Sequence, residues 1–325
     1  MGSLFVMCAE ETLDFAAWPA SVFEKARERV AKAGIDQTPL RKSLWLSKEL
    51  QAEVYLKFEN LHEGGSFKVR GAFHYLYCFK EKHGSFPSQV ITASGGNHGM
   101  AVAVACFQLN IPCTVIIPSN SITDNKRKLL SAYNVNLVIE GSCWQESNQI
   151  GLDMLNSLDN TEKACYIHPF LHPWVIQGAS TMAAEIVDKA ADVEIIIASL
   201  GGGGMIAGII SFLRSNEKYS NIQVGSAETS GADYYYQSVQ QGKLVLLDKI
   251  TSIASTLGAS TGSQETYELF LENIKYPMVV SDAEAVAALW QILEHERILV
   301  EPSCSASVAA LLKYKEQFKG KKIAL

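Results

Sequence analysis

The chain of 325 residues lacks three features that would place it in other protein classes. No apolar run approaches the roughly 20 residues that a membrane-spanning helix needs. No cluster of basic residues occurs and the net charge is −6, which argues against a nucleic-acid partner because phosphate neutralisation needs grouped Lys and Arg. No basic segment precedes the short apolar patch in "MGSLFVMCAEETLDF", so we expect no signal peptide. The sequence therefore predicts neither a nucleic-acid nor a membrane partner.

Cysteine usage excludes a disulfide scaffold. The seven cysteines are an odd number, no C-x-x-C pair occurs, and several lie in apolar runs such as "VAVACFQL". Buried free thiols in a reducing compartment, and hence a cytoplasmic location, are the expectation. Because 48% of the residues are hydrophobic, the chain can bury a large core in one large domain or two of moderate size.

Short apolar runs alternate with segments of helical period along the chain. Ala72, Tyr75, Leu76 and Phe79 form one buried helix face, and the "SDAE" sequence beginning at Ser281 predicts a capping box. Such alternation predicts an α/β fold with doubly wound parallel sheets, in which ligands bind beyond the carboxyl ends of the strands. Seven strands are predicted, at "EVYLKFE", "QVITAS", "CTVIIPS", "VNLVIEG", "VEIIIASL", "IQVGSAE" and "YPMVVSD".

The first notable strand end is "QVITASGGNHGMAVAVA". The strand ends at Ser94, Gly95 and Gly96 form a turn, and Asn97 and His98 lead into a helix. Backbone amides at a helix N-terminus attract anions such as a carboxylate. A tight turn with a helix-capping Asn is the alternative.

The second is "VEIIIASLGGGGMIAGII", in which Gly201 to Gly204 separate an apolar strand from a helix of small residues. Glycine lets backbone amides approach a bound group closely, so this turn predicts a phosphate site. Glycine spacing followed later by Glu228 also permits a dinucleotide-binding turn, although such a match is weak by itself. A merely tight turn is the third interpretation.

The third is "RILVEPSCSASVAALL", where a strand-like run ends at Glu301 and a helix follows the proline. Ser303, Cys304 and Ser305 lie at this helix start. A cluster of capping residues explains them equally well.

Lys68 begins a helix in "EGGSFKVRGA", after a glycine-serine turn and beside an aromatic residue. Partial burial near a helix N-terminus disfavours the ammonium form, and a neutral amine can condense with an aldehyde. A lysine, a phosphate turn and an anion-binding turn together match pyridoxal 5'-phosphate. The alternative for Lys68 is an ordinary solvated lysine at a helix start. A dinucleotide-binding module is a weaker alternative for the whole chain, because it would give Lys68 no function.

Four segments resemble the signature segments of the fold-type II pyridoxal-phosphate enzymes, within the serine/threonine dehydratase group. They are "GSFKVRGA", "SGGNHGMAVA", "SLGGGGMIAGI" and "LVEPSCSASVAAL", and they occur in the family's order. The resemblance runs from about Thr38 to the C-terminus. It is strongest to L-serine dehydratases, with serine racemases close by.

The resemblance implies a fold like that of the tryptophan synthase β-subunit, with the cofactor in a cleft between two doubly wound parallel-sheet domains. Residues 1–61 and 165–325 would form the large cofactor-binding domain, and residues 62–164 the small substrate-binding domain. A homodimer is also implied.

The resemblance assigns roles at matching positions. Lys68 would form the Schiff base, Phe67 would stack on the pyridine ring, and Asn97 would bind the ring hydroxyl. The phosphate would be held by the backbone of Gly201, Gly202, Gly203, Gly204 and Met205. The substrate carboxylate would be held by Ser94, Gly95, Gly96, Asn97 and His98.

The implied activity is elimination of water from L-serine or L-threonine, giving a 2-oxo acid and ammonia. Related racemases carry a serine where this chain has Gly95, so elimination is favoured over racemisation. A serine racemase, another β-elimination or β-replacement enzyme, or a lyase for bulkier 3-hydroxy amino acids are the alternatives within the fold.

Two positions depart from the family pattern. A Cys, Ser or Thr that binds the pyridine nitrogen usually follows the last strand, whereas the sequence here ends at Leu325; Ser303 or Cys304 could substitute, or the protein could be an inactive cofactor-binding protein. Family members also bind a cation through residues that match Glu228 and Ala232, but the third position is Tyr234, a poor ligand for a hard cation. Glu228 could instead cap a helix or form an ion pair.

Overall fold

The computed structural model describes residues 13–15, 18–35, 37–158 and 163–325. Predictions for the first twelve residues, including Cys8, lie outside this part of the chain. In the described part, no helix is long and apolar enough to span a membrane.

Two sheets organise the molecule. The smaller sheet has four parallel strands: β3 Gln89–Ala93, β4 Cys113–Ile117, β5 Asn136–Ile139 and β6 Ala164–Tyr166. Their order across the sheet is β5–β4–β3–β6. The larger sheet has six strands: β1 Leu40–Lys42, β2 Glu53–Lys57, β7 Ile195–Ser199, β8 Gln223–Thr229, β9 Ile274–Val280 and β10 Lys322–Ala324. Their order is β1–β2–β10–β7–β8–β9.

The prediction of parallel sheets is confirmed except at one edge, where β1 pairs antiparallel with β2. An antiparallel edge strand is common on otherwise parallel sheets. All seven predicted strands form, with ends that shift by up to two residues. The prediction of a strand in "RILVE" is wrong, because residues 297–301 join no sheet. Ile298 and Val300 are apolar because they pack against the core of the larger sheet.

Twelve helices in the described residues cover the sheets. They are α1 Ala20–Lys32, α2 Leu44–Leu50, α3 Lys68–His83, α4 Asn97–Gln108, α5 Asp124–Ser131, α6 Trp144–Asn156, α7 Pro173–Lys189, α8 Gly204–Arg214, α9 Tyr234–Gln241, α10 Gln264–Asn273, α11 Asp282–Glu296 and α12 Pro302–Lys313. The predicted buried face of α3 is confirmed, and Ser281 and Glu284 form the predicted capping box at the start of α11.

Both faces of each sheet are buried, as the apolar strands predicted. In β7, Ile196 packs into the core formed with α1, α7, α8, α9 and α10, whereas Ile195 and Ile197 face the core formed with α2, α11 and α12. The smaller sheet packs against α3, α4 and α5 on one face and against α6 on the other. The domain boundaries stay a prediction; β6 belongs to the smaller sheet and crosses the predicted boundary at 164/165.

The start of α3 is fixed against α7 by close backbone packing. A Cβ atom at Gly71 would lie 2.8 Å from the Val175 carbonyl oxygen, and one at Gly178 would lie 2.6 Å from the Arg70 carbonyl oxygen. Since contacts under 3.0 Å essentially never occur for real Cβ atoms, both positions need glycine.

A buried ion cluster reinforces this crossing. The Arg70 side chain is fully buried and donates to Glu59 at 2.7 Å and to Glu185 on α7 at 2.6 Å. Lys57 also pairs with Glu185, at 2.5 Å. Every charge in the cluster has an opposite charge beside it, which a buried charge requires. The first turn of α3, which begins at Lys68, is therefore held in one position.

Candidate active site

The Lys68 amine lies in a recess. Its side chain is only partly exposed, and burial lowers the pKa of the amine to about 8. The amine donates to the Pro169 carbonyl oxygen at 2.6 Å and lies 5.2 Å from the centre of the Phe67 ring. No carboxylate of the described residues pairs with it. Lys68 is therefore not the solvated charge that a helix-start lysine usually is.

The glycine-rich turn has the features of an anion site. Gly203 has a φ of 85° and is the N-cap of α8. Among the described residues, no acceptor is bonded to the backbone amides from Gly201 to Ile206. A Cβ at Gly202 would lie 2.3 Å from Cγ of Phe170, so the turn needs glycine to pack where it does. These free donors at a helix N-terminus suit a phosphate group.

The turn before α4 offers a second set of donors. Gly96 is the N-cap of this helix and its amide donates to the Ser94 hydroxyl at 3.3 Å. In the described structure, the amides of Asn97, His98 and Gly99 have no protein acceptor. The Asn97 side chain does not cap the helix; it donates to Glu301 at 2.7 Å. The alternative of a capping Asn is therefore wrong.

His98 is buried, and its ring is oriented by the Ile167 carbonyl oxygen, to which Nε2 donates at 3.0 Å. Burial, reinforced by the charge of Lys68, lowers the pKa of His98 to about 3, so the ring is neutral near pH 7. A neutral ring with its proton on Nε2 presents only an acceptor at Nδ1. This geometry argues against a carboxylate contact from the His98 side chain, whereas its backbone amide remains available.

Two further segments join these parts. The segment from Ile167 to Leu171 contacts Lys68 through Pro169 and the glycine-rich turn through Phe170. The 3-10 turn Ser255–Leu257 packs against the glycine-rich turn at Gly201, where a Cβ would be 3.0 Å from the Thr256 carbonyl oxygen. Lys68 and the glycine-rich turn are thus packed against the same segment.

The third predicted strand end also reaches the site. Glu301 accepts from Asn97 and, at 3.0 Å, from the Thr256 hydroxyl, which is also bonded to Ser303. Cys304 keeps part of its surface exposed. Desolvation by the surrounding protein, with a smaller contribution from the charge of Glu301, raises the pKa of its thiol to about 12. No side-chain cap from these residues is formed at the start of α12, because its N-cap is Glu301 and Ser303 bonds elsewhere. A contact of Ser303 or Cys304 with a pyridine nitrogen stays a prediction.

Glu228 has the capping role that the sequence left open. Both carboxylate oxygens accept backbone amides at the start of α9, from Tyr235 at 3.0 Å and from Tyr236 at 2.7 Å, while burial raises the pKa of Glu228 to about 8. Ala232 is fully buried nearby. Within the described ranges, no group of three or more His, Cys, Asp and Glu side chains is arranged to hold a metal ion. A cation bound by Glu228 and Ala232 stays a prediction.

The residues present fit pyridoxal 5'-phosphate. The glycine-rich turn presents free amides for a phosphate, and the partly buried amine of Lys68 suits an aldehyde. Together with the two α/β sheets, this site defines a pyridoxal-phosphate enzyme of fold type II.

The chain belongs to the family described as "Pyridoxal-phosphate dependent enzyme", whose model matches residues 31–325. It is 35% identical over 276 residues to the L-serine dehydratase/L-threonine deaminase of Mus musculus, covering 85% of this chain and 82% of that protein. It is 36% identical over 289 residues to the L-serine dehydratase of Dictyostelium discoideum, covering 84% and 81%.

Solved structures show the same fold. Maize serine racemase matches with a TM-score of 0.84 and 25% identity, covering 95% of this chain and 93% of that one. A fungal L-serine ammonia-lyase from Rhizomucor miehei matches with a TM-score of 0.79 and 27% identity, covering 89% and 91%. The predicted family, fold class and cofactor are confirmed.

Sequence reasoning missed four residues that shape the site. Pro169 and Phe170 lie in "HPFLHP", to which the sequence assigned no site residue, and Thr256 lies in the 3-10 turn Ser255–Leu257. Trp144 donates its indole Nε1–H to the Ala93 carbonyl oxygen at 2.9 Å and packs near Phe170. The sequence signal that could have indicated them is an aromatic residue next to polar ones, Phe170 in "HPF" and Trp144 in "CWQ".

Proposed function

We propose that this chain is a pyridoxal-phosphate-dependent ammonia-lyase that removes water from L-serine and L-threonine, releasing a 2-oxo acid and ammonia. The observation that carries this proposal is the convergence of Lys68, the glycine-rich turn and the Ser94–His98 turn on the segment Ile167–Leu171. The names of the relatives from Mus musculus and Dictyostelium discoideum support the same reaction.

The chain would hold its cofactor at four points. The free amides from Gly201 to Met205 would bind the phosphate, and Lys68 would bond covalently to the aldehyde carbon. Asn97 would turn its amide from Glu301 to the ring hydroxyl, and Phe67 would cover one ring face. The bound cofactor supplies an electron sink for the substrate's α-carbon.

Side chains and backbone groups of the recess would bind the substrate and remove its α-proton. The amides of Asn97, His98 and Gly99 would bind the substrate carboxylate and fix the α-carbon near Lys68. With a pKa of about 8, the Lys68 amine is neutral in a useful fraction of molecules near pH 7 and can take the α-proton as a general base. The partly buried recess limits the water that competes for that amine.

Racemisation is the second candidate, because serine racemases from maize and Dictyostelium discoideum share the fold at 25% and 27% identity. Gly95 has no side chain to donate a proton at the position where those racemases are expected to carry serine. Elimination is therefore favoured.

The test is a product assay with purified holoenzyme on L-serine, L-threonine and bulkier 3-hydroxy amino acids. Oxo acid from L-serine, absent in Lys68→Ala, supports the proposal. D-serine without oxo acid indicates a racemase, and protein that binds the cofactor without either product indicates the binding-only alternative. The Schiff base is tested separately by borohydride trapping on the Lys68 peptide. The homodimer and the cytoplasmic location stay predictions.

A further inference from the structure

The segment Ile167–Leu171 between β6 and α7 has no regular secondary structure, yet it contacts Lys68, the glycine-rich turn and the start of α4. The Ile167 carbonyl oxygen accepts from His98 at 3.0 Å, and the Pro169 carbonyl oxygen accepts from Lys68 at 2.6 Å. Phe170 packs directly against the backbone at Gly202. The conformation of this short segment therefore sets where the amine and the phosphate turn lie relative to each other.

One side chain inside the segment holds its shape. Nδ1 of His168 accepts the backbone amide of Phe170 at 3.2 Å and that of Leu171 at 2.9 Å. Side chains that accept amides two and three residues later stabilise a turn. Since Nδ1 must carry a lone pair for both bonds, the ring proton lies on Nε2. Nε2 is buried and, among the described residues, has no hydrogen-bond partner.

The ring environment keeps this arrangement intact. Burial lowers the pKa of His168 well below its usual range, with smaller contributions from His98, His172 and Lys68. A protonated ring would place a donor at Nδ1, opposite the two backbone donors, and would break the turn. The ring also packs edge-on against Phe170, with centroids 4.8 Å apart.

We propose that His168 is a positioning residue, which acts through Nδ1 to place the Pro169 carbonyl against Lys68 and the Phe170 ring against the glycine-rich turn. It does so without touching the reacting atoms. The activity readout of this proposal rests on the proposed function, whereas its readouts on the apoprotein do not.

Two amide substitutions separate the ring nitrogens. The oxygen of asparagine can stand where Nδ1 stands, so His168→Asn keeps an acceptor for the two amides and loses the Nε2 donor. His168→Gln places an amide near Nε2 and leaves no acceptor at the position of Nδ1. His172 provides a matched control, because it is also partly exposed and accepts a backbone amide through Nδ1, from Trp174 at 3.2 Å, at the N-cap of α7.

Three measurements follow on each variant: the affinity of the apoprotein for pyridoxal phosphate by fluorescence quenching, the pH midpoint of Lys68 acetylation by mass spectrometry, and kcat and KM for L-serine. We expect His168→Asn to stay within about 3-fold of the parent in cofactor affinity, with an unchanged Lys68 midpoint. We expect His168→Gln to bind the cofactor at least about 10-fold more weakly. It should also shift the Lys68 midpoint upward, because a displaced segment would bury the amine less and burial is what lowers its pKa. His172→Gln should lower thermal stability alone.

An Asn variant as impaired as the Gln variant would overturn the proposal, because the function would then lie in the Nε2 donor. Parent-like behaviour of both variants would overturn it as well. Should His168→Gln not fold, His168→Asn decides alone: parent-like cofactor affinity and Lys68 midpoint support the proposal, and their loss refutes it. If the parent shows no lyase activity, the apoprotein measurements still give the answer.

Discussion

If burial lowers the pKa of Lys68 to about 8, the apoprotein contains far more neutral amine at this position than at a solvated lysine. At pH 7 about one in ten Lys68 side chains would be neutral, against about one in 3,000 at an ordinary lysine pKa, a difference of about 300-fold. Competitive acetylation across about pH 6 to 11, followed by mass spectrometry of the Lys68 peptide, measures this directly. The exposed Lys319 serves as the reactivity reference.

The lowered pKa of Lys68 also makes the unfolding free energy depend on pH. Because the folded-state pKa lies below the unfolded one, the unfolded chain binds more protons between about pH 8 and 10.5, and stability rises with pH across that window. The shift corresponds to at most about 3 kcal/mol, less what partial exposure of the side chain screens. Lys68→Met should therefore stabilise the apoprotein at pH 7 by up to about 3 kcal/mol and remove this pH dependence.

Denaturant unfolding of the apoprotein at pH 7 and pH 10 gives the comparison. Lys126→Met is the matched control, because Lys126 is also partly exposed and donates to a backbone carbonyl, that of Ser121 at 2.8 Å. An acetylation midpoint near the ordinary lysine value of about 10.4 would refute the reasoning, as would a Lys68→Met variant that is less stable at both pH values.

Three further outcomes are expected. Arg70→Met leaves Glu59 and Glu185 with Lys57 as their one remaining Lys or Arg partner among the described residues, and it should lower the unfolding free energy by about 3–5 kcal/mol. Arg214→Met at an exposed ion pair should cost less than about 1 kcal/mol, and equal losses in denaturant titrations would contradict this. Gly202→Ala should weaken binding of pyridoxal phosphate at least about 10-fold in fluorescence titrations, and much less in a Phe170→Ala background; additive effects would exclude the clash. Burial lowers the pKa of four histidines, which stay neutral in the folded state, so the unfolding free energy should be about 3 kcal/mol lower at pH 6 than at about pH 8. Unfolding titrations measure this, and a flat profile would contradict it. The four histidines are His74, His98, His168 and His172.

The strands that sequence reasoning found share one property: each is an apolar run bounded by turn residues. Three strands escaped it, because β1, β6 and β10 have only three residues each and show no periodicity. β10 lies between β2 and β7 in the larger sheet, although it begins with Lys322. Partners distant in the sequence define such a strand, and a single sequence does not reveal them.

The site residues also divide into those that the local sequence predicts and those that depend on distant partners. Lys68, Asn97 and the glycine-rich turn are visible in the sequence because each depends on a local device: a helix start, a strand end or a run of glycines. Phe170 and Thr256 were missed, since their importance comes from packing on residues far along the chain.

The reactivity of Lys68 depends both on the local sequence and on packing against residues far along the chain. The "KVRG" sequence supplies the amine and, two residues later, a guanidinium whose charge is matched by Glu59 and Glu185. That pairing anchors the helix start while leaving the amine itself without a carboxylate in the described part of the chain, and burial is the cause of its lowered pKa. A carboxylate beside Lys68 would stabilise the ammonium and oppose its role as a nucleophile and base. The anchoring charge and the reactive amine must therefore face different partners. Lys68 and Arg70 meet that requirement because they are two residues apart, about half a helical turn, and so project from roughly opposite sides of α3.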